Sequence, residues 1–325
     1  MVLLPSLITL RHPPDQTLSA EDIFSSTLGS IFTDDLQNQH GTDPSTTIVY
    51  TPSNPSYPVV ELRTADIDGE EQRKKFAHYL WNAGVLIGEI VAGRPGLKDG
   101  EEAGSEKVRG QDEDEKWGEG KWWLNAEEEK MWAVRGERVL ELGAGASWKS
   151  CVGLGGIMAA LAGAEEVAIT DYPAPPILST LEINKKKNTP TSLQSKISVH
   201  GHQWGDLESP FATANAGCFT RILAADCLWM PHEHTSLARS MLHFLSPDPS
   251  ARVYVVAGFH TGRAKMAPFF EAVDEVGLQI EDIFEMDAAG ERRAWTKERE
   301  GGKEDVTGRK KWLVVARLKR KEPSP

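Results

Sequence analysis

The residues best suited to chemistry lie between positions 139 and 171, where a glycine turn follows an apolar stretch. Gly143 and Gly145 come after the run RVLEL, and Asp171 ends the later run EEVAITD. Glycine permits a positive φ and close approach of the backbone to a ligand, and a helix after such a turn presents free amides. A carboxylate such as that of Asp171 accepts hydrogen bonds from both hydroxyls of a ribose. The pattern therefore predicts a site for an adenosine-type ligand.

Three classes of site compete for this pattern. A P-loop requires GxxxxGK[ST], which does not occur in the sequence. A dinucleotide fold requires GxGxxG, but Trp148 stands at the place of the third glycine, and no second mononucleotide-binding half is visible. S-adenosylmethionine carries no pyrophosphate, and Glu141 precedes the glycines, where an acid helps to hold the amino-acid end of that cofactor. The run ELGAG followed by TD favours this third class, although glycines alone also suit close packing of a helix on a strand.

The elements that position these residues follow from the apolar runs after residue 137. Five such runs alternate with helical segments, and two further runs are separated only by the loop 287–310. We predict five strands joined by crossover helices and a terminal antiparallel pair, seven strands in all. Buried strands between helices indicate an α/β, Rossmann-like, mostly parallel sheet with helices on both faces. Ligands of such sheets lie beyond the carboxyl ends of the strands.

The flanking segments have a different composition. Residues 1–70 are predicted as an N-terminal extension with a short helix near 19–32 and two strands, TTIVYTP and YPVVELRTA. Apolar residues at helical spacing over 71–93 predict a helix ahead of the sheet. Residues 94–130 carry many charges and few aliphatic side chains, so we expect a solvated insertion. Residues 321–325 form a short basic tail.

Composition and charge exclude several classes of function. The 325 residues include 36 basic and 48 acidic side chains, a net charge of −12, which opposes non-specific binding of nucleic acid. The same charge suits a basic protein partner, and solubility accounts for it equally well. The three cysteines form no CxxC pair, and no apolar run reaches the roughly 18 residues of a membrane helix. We expect a soluble, cytoplasmic, monomeric protein without a metal.

Six motifs together resemble one family of enzymes. In chain order they are YLWNAG, VLELGAGA, GLGGIMAALAGA, VAITDYP, HQWGD and ILAADCLWMPHEH. They are similar to the seven-β-strand methyltransferases of the fungal nicotinamide N-methyltransferase-like group. That group includes the elongation factor 1-alpha N-terminal and lysine methyltransferases and resembles the wider methyltransferase-16 protein-lysine family. The resemblance covers about residues 20–320 and implies an S-adenosylmethionine-dependent N-methyltransferase domain over 71–320.

The resemblance also implies a role for each residue of the cofactor site. Trp81 would flank the cofactor, Asp171 would bind its ribose, and Trp204 would lie beside its adenine. Four further residues complete the predicted site. Gly143, Ala144 and Gly145 would form the turn around the methionine part of the cofactor, and Ala225 would end the fourth strand against it. From the residues alone, buried tryptophans are more often part of the core than cofactor contacts.

An insertion departs from the family pattern. Deleting Ser147–Val152 leaves GAGAGLGGIMAALAGA, the usual run of the family. If the six extra residues bulge outward, the turn is preserved. If Trp148 or Lys149 folds inward, the pocket is blocked. We expect the insertion to weaken binding of S-adenosylmethionine.

Asp226 is the candidate for the chemical step. Methyl transfer from a sulfonium requires alignment of the nucleophile and an unprotonated amine. Asp226 follows the fourth strand, where it is placed to bind the incoming amine, and a helix cap or ion pair is an equally good interpretation. Trp229 stands where the protein-lysine relatives often have Tyr in a D-x-x-Y pattern. The acceptor is a protein amine, with elongation factor 1-alpha leading, or nicotinamide or another small amine. A catalytically silent binding protein is the remaining alternative.

Overall fold

A computed structural model describes most of the chain and leaves several segments aside. The described residues are 2–13, 38–41, 45–65, 79–95, 122–144 and 152–322. The predicted helix near 19–32, Gly145 and the inserted residues up to Cys151 lie outside them.

The strands of the described residues are numbered in chain order. They are β1 (Ile8–Arg11), β2 (Gln39–His40), β3 (Thr47–Tyr50), β4 (Val60–Leu62), β5 (Leu80–Trp81), β6 (Arg138–Leu142), β7 (Glu166–Asp171), β8 (Ile197–Gly201), β9 (Arg221–Ala225), β10 (Arg252–Gly258), β11 (Leu278–Asp287), β12 (Arg292–Ala294) and β13 (Trp312–Arg320).

The α-helices of the same residues are numbered likewise. They are α1 (Asn82–Ala92), α2 (Ala126–Trp132), α3 (Leu154–Leu161), α4 (Pro175–Asn188), α5 (Thr191–Gln194), α6 (Pro210–Ala214), α7 (His234–Phe244), α8 (Arg263–Met266), α9 (Pro268–Val276) and α10 (Val306–Lys310).

The central sheet has the order β12-β11-β13-β10-β9-β6-β7-β8. The five strands from β8 to β10 are parallel, and β13 pairs antiparallel with both β10 and β11. The five crossover strands and the terminal antiparallel pair predicted from the sequence are therefore confirmed. The short edge strand β12, within the predicted loop 287–310, makes eight strands instead of seven.

Helices cover both faces of this sheet, as predicted. Alternate residues of one strand enter different apolar clusters, with Val139 in one and Leu140 in the other. Helices α1 and α3 contribute to the first cluster, and α7 and α9 contribute to the second. The chain runs outward from β6 to β7 and β8 on one side and returns through β9 to β10 on the other. The strand order therefore reverses at β6 and β9, where open sheets of this type bind ligands.

The described part of the N-terminal extension packs on the first cluster through a small sheet of order β1-β3-β4. The carboxylate of Glu89 on α1 is fully buried and joins this sheet to the domain. Glu89 Oε1 accepts hydrogen bonds from Tyr50 Oη at 2.5 Å and from Ser53 N at 3.0 Å, and Oε2 accepts from Trp123 Nε1 at 3.4 Å. Burial, together with the neighbouring Glu89, raises the pKa of Tyr50 well above its ordinary value.

Two local predictions are wrong in the described residues. Leu80 and Trp81, expected in a helix over 71–93, form β5, because their backbone pairs with Gln39–His40. Residues 122–124, expected in a solvated insertion, are buried, and their side chains extend the first apolar cluster. In each case, contacts with residues distant in sequence determine the local structure, so local composition does not predict it.

Replacing Tyr50 with Phe tests the link through Glu89. We expect the free energy of unfolding to fall by about 1–3 kcal/mol, because a buried carboxylate loses a hydrogen-bond donor. Urea unfolding measures this loss. Tyr172→Phe is the control, because that side chain is 43% exposed. It should change stability by less than about 0.5 kcal/mol. Equal effects of the two variants would contradict the assignment.

Candidate active site

An open cleft with a volume of about 180 Å³ lies at the carboxyl edge of the parallel strands. Its walls come from the segments that follow β6, β7, β8 and β9, so one edge of the sheet supplies the whole cleft. The described residues that line it are Gly143, Asp171, Tyr172, Ile177, His202, Gln203, Trp204, Met230, His232 and Glu233.

The glycine turn forms one wall of this cleft. Gly143 has a φ of 66°, in the left-handed region that favours glycine. Ala144 N donates to Thr170 O at 2.9 Å, which ties the turn to β7. Ala144 O accepts from Val152 N and from Gly153 N, each at 3.4 Å. The chain therefore returns to the same carbonyl after the insertion, and the turn stays joined to the start of α3.

Glu141 has a different environment from the predicted one. Its Oε1 accepts from Gly155 N at 3.2 Å and its Oε2 accepts from Gly156 N at 2.9 Å, at the beginning of α3. The residue is 4% exposed and is not among the described residues that line the cleft. Both carboxylate oxygens are therefore bonded to the helix, and a contact of Glu141 with the amino-acid end of a cofactor stays a prediction. An N-terminal helix turn attracts a carboxylate because its amides lack partners within the helix.

The paired glycines of α3 explain this arrangement. A Cβ at position 155 would lie 2.9 Å from Glu141 Oε1. A Cβ at position 156 would lie 2.6 Å from Ile169 Cγ1 and 2.9 Å from Glu141 Oε2. Only glycines leave room for the carboxylate between β6 and α3. The repeated GG of GLGG was the sequence signal for this contact.

Asp171 lies where the sequence predicts it, at the end of β7 on the wall of the cleft. It is 4% exposed, and its Oδ1 accepts from Tyr172 N at 2.6 Å. A carboxylate fixed by the backbone beside a concave site suits two neighbouring hydroxyl groups. This geometry fits the ribose of the predicted cofactor.

Part of the cleft is apolar. Ile177, Trp204 and Met230 line it, and Trp204 is half-buried against the second apolar cluster. A flat aromatic ring at such a wall offers stacking area for a base. The predicted positions of Asp171 and Trp204 on one cleft therefore fit the two ends of an adenosine.

His202 and Gln203 also line the cleft, although the sequence analysis did not single them out. Burial lowers the pKa of His202 to about 4, so its imidazole is neutral at neutral pH. Its Nε2 lies 3.0 Å from Ser240 Oγ, which also accepts from Gly205 N at 2.9 Å. The segment after β8 is therefore fixed on α7. The quoted motif HQWGD contained the signal for both residues.

Asp226 follows β9 and has an unusual backbone. Its φ is 57°, a left-handed value that Asp adopts more readily than most residues but at some cost in strain. Asp226 N donates to Val256 O at 2.7 Å, and Asp226 Oδ1 accepts from Gly258 N at 3.1 Å. These bonds to β10 direct the carboxylate. Asp226 is not the cap of α7, which begins at His234.

Two other predicted residues flank this aspartate. Ala225 ends β9 and is half-buried against the first apolar cluster. Trp81 lies before α1, and its ring stacks on His260 with centroids 4.4 Å apart. Within the described part of the chain neither residue lines the cleft, so their contact with the cofactor stays a prediction.

The motif HEH begins a helix. Pro231–Glu233 form a 3-10 turn, and His234 starts α7 with its Nε2 at 3.0 Å from Leu228 O. Among the described residues, no cluster of His, Cys, Asp and Glu is arranged to hold a metal ion. In the same residues, no helix has the length and apolar character needed to cross a membrane.

Comparison with known proteins was made for the whole sequence. The family model described as lysine methyltransferase matches residues 64–276. The protein N-terminal and lysine N-methyltransferase of Schizosaccharomyces pombe is 30% identical over 217 residues, which cover 65% of this chain and 68% of that protein. The enzyme of the same name from Yarrowia lipolytica is 33% identical over 173 residues, which cover 47% of this chain and 60% of that protein.

One solved structure illustrates the level of structural similarity. The ribosomal protein L11 methylase of Lactobacillus delbrueckii subsp. bulgaricus is 18% identical, and the match covers 58% of this chain and 72% of that chain with a TM-score of 0.36.

Glu141 should make stability depend on pH. Burial raises its pKa from 4.5 to about 7, against the opposing effect of the Gly155 and Gly156 amides. Between these two values the folded protein holds a proton that the unfolded chain has lost, so stability falls as pH rises. The stability advantage of wild type over Glu141→Gln should shrink by up to about 3 kcal/mol from pH 5 to pH 8. Urea unfolding across this range measures it, and a constant difference would contradict the shift.

Asp171→Asn should weaken binding of S-adenosylmethionine by about 10- to 100-fold, because hydrogen bonds to a charged acceptor contribute about 1.5–3 kcal/mol. Titration calorimetry gives the dissociation constant. Glu165→Gln is the matched control, since it removes one charge from an exposed residue at the amino end of β7. Equal affinities of the two variants would exclude Asp171 from the cofactor site.

Proposed function

Because the chain belongs to the lysine methyltransferase family, we propose that it transfers a methyl group to an amine of a protein. Family membership confirms the predicted enzyme class, an N-methyltransferase, and S-adenosylmethionine as its methyl donor. The two curated relatives carry the name protein N-terminal and lysine N-methyltransferase, which supports a protein substrate for this chain. This chain spans 68% and 60% of those relatives, so the acceptor remains part of the proposal.

The proposal depends on one observation. The carboxylates of Asp171 and Asp226 lie at the same edge of the sheet, but their surroundings differ. Asp171 lies on the wall of the cleft, and Asp226 follows β9, next to the loop after β10. The bound cofactor supplies a methyl group activated by a positively charged sulfur. Asp171 orients the donor through its ribose, and Asp226 receives the amine. Alignment of two reactants by fixed groups supplies much of the acceleration that such a displacement requires.

Asp226 has the properties that binding of an amine requires. The residue is 7% exposed, so a carboxylate there interacts with an ammonium group in surroundings of lower polarity than water. The amide of Gly258 donates to one carboxylate oxygen and so helps to fix the orientation of the group. Trp229, three residues later, is half-buried and offers an aromatic surface to a cation. The amine gives up its proton before the transfer, and a water-poor site favours its neutral form.

Elongation factor 1-alpha is the acceptor that we propose, on the basis of the family resemblance of the six motifs. The net charge of −12 is compatible with a basic partner. We further propose that the protein acts in the cytoplasm as a monomer.

Incubation with radiolabelled S-adenosylmethionine tests the acceptor class. The protein is added to a cell extract and, in a second reaction, to purified elongation factor 1-alpha. A labelled protein band in both reactions supports the proposal. A labelled band of another size in the extract alone would show that a different protein is the acceptor. A labelled small product indicates a small-amine methyltransferase. Absence of label together with lost cofactor binding indicates a silent protein.

Asp226→Asn should lower kcat for methyl transfer by about 100-fold or more and leave the affinity for S-adenosylmethionine within about threefold, because only the charge for the amine is removed. Asn also tolerates the left-handed backbone, so the fold should be unaffected. The dissociation constant comes from calorimetry and the rate from the labelling assay. Asp206→Asn, at an exposed acid after β8, is the control. An unchanged rate in Asp226→Asn would refute the role.

A further inference from the structure

His260 lies between the two functional parts of the site. It belongs to the 3-10 turn Phe259–Thr261 that follows β10. Its ring stacks nearly parallel on Trp81, with centroids 4.4 Å apart and an interplanar angle of 19°. Its Nδ1 lies 3.7 Å from Asp226 Oδ1. The imidazole therefore contacts the aromatic residue before α1 with its face and the carboxylate after β9 with its edge.

The edge of this ring is a buried polar group. His260 Nδ1 is inaccessible to solvent and has no hydrogen-bond partner within the described residues. Buried polar atoms normally have a partner, and Asp226 Oδ1 is the acceptor that faces this one. In the free enzyme such contacts are often too long and shorten when the substrate binds. A small movement of the carboxylate toward Nδ1–H would give this ring nitrogen an acceptor.

The surrounding backbone leaves room for this contact and for little else. A Cβ at position 258 would lie 3.2 Å from His260 Nδ1 and 3.7 Å from Asp226 Oδ1. The glycine at this position thus allows the two groups to approach, while its amide donates to the same carboxylate oxygen at 3.1 Å. A methyl group at this position would press on the edge of the imidazole, which would have to shift by a few tenths of an ångström.

The other end of the turn is fixed by a buried ionic network. Arg263 on α8 lies 2.6 Å from the fully buried Glu285 and 3.0 Å from Glu304. Its guanidinium also lies over the ring of Phe259, 4.2 Å from the centroid. The residues on both sides of His260 are therefore held, so its ring has a defined orientation.

We propose that His260 is a positioning residue for methyl transfer. Its ring, fixed against Trp81, donates a hydrogen bond from Nδ1 to Asp226 and holds that carboxylate toward the amine. The cofactor side and the amine side of the site are thereby connected through one imidazole. This inference rests on the proposed function, because Asp226 is the group assigned to the amine.

Two substitutions distinguish the role of the hydrogen-bond donor at the edge of the ring from the role of its stacked face. His260→Phe keeps a flat surface for Trp81 but removes the donor, and we expect kcat to fall by 10- to 100-fold. His260→Asn keeps an N–H group close to the place of Nδ1, and we expect it to restore kcat to within fivefold of wild type. The KM for the protein acceptor and the dissociation constant of S-adenosylmethionine should change by less than threefold in both. His12→Phe, in the N-terminal segment, is the control.

Three results would overturn the proposal. They are wild-type kcat in His260→Phe, an equal loss of kcat in the two variants, or an effect confined to cofactor binding. Thermal unfolding of each variant identifies a loss caused by the fold. In that case Gly258→Ala, whose methyl group would press on His260 Nδ1 without changing either member of the pair, replaces His260→Phe and must lower kcat.

A spectroscopic measurement does not depend on the acceptor. In wild type with S-adenosylhomocysteine, a downfield proton resonance of His260 Nδ1–H is expected in the NMR spectrum and should disappear in Asp226→Asn. Its absence from wild type refutes the hydrogen bond. If the resonance is present but no protein amine is methylated, the proposed function fails while the contact stands.

Discussion

The contact between Glu141 and the beginning of α3 is the constraint on which the site depends. It joins the end of the central strand to the first helix after the turn, and each carboxylate oxygen has its own amide. The turn at Gly143 lies between these two elements, so its position on the cleft follows from the contact. The same carboxyl group is buried beside Asp171, whose charge adds to the upward shift of its pKa. The geometry of the cofactor cleft is thus set by a buried acid that does not line it.

The two sides of the site have different kinds of support. The proposed cofactor side depends on backbone features of neighbouring parallel strands, because Gly143 directly follows β6 and Asp171 is the last residue of β7. The proposed amine side depends on contacts between side chains after β9 and β10, namely those of Asp226 and His260. Backbone geometry suits a cofactor that is always the same. Side-chain contacts suit the part of the site that recognises a variable acceptor.

The sequence predicts most of the sheet because its strands are continuous apolar runs with helices between them. The helix predicted from PPILSTLEINKKKN has the same bounds in the structure, Pro175–Asn188, because proline favours the first helical position. Asp171 and Trp204 line the cleft, Asp171 as the last residue of β7 and Trp204 in the segment that follows β8. Patterns within single elements are therefore sufficient for the architecture and for the position of Asp171, whereas the position of Trp204 was implied only by the family resemblance.

Contacts between distant segments are what the sequence does not specify. Trp123 lies within a stretch rich in charged residues. It is nevertheless buried against Glu89, which lies 34 residues earlier in the chain. The hydrogen bonds of Glu141 depend on Gly155 and Gly156, which lie 14 and 15 residues later in the chain. The position of His260 next to Asp226 requires the register of β9 against β10. Each of these three features is a contact between segments distant in sequence, and neither composition nor periodicity predicts such a contact.

The left-handed backbone of Asp226 has a consequence for how this position can vary. A glutamate would preserve the charge but adopts a φ of 57° less readily, whereas asparagine and glycine accept the backbone and lose the charge. Among the standard residues, aspartate therefore combines an acid with this handedness at the smallest cost. A change of acceptor through replacement of this residue therefore requires either a neutral side chain or a distorted strand end. A new specificity is more accessible through substitution of the neighbouring aromatic residues.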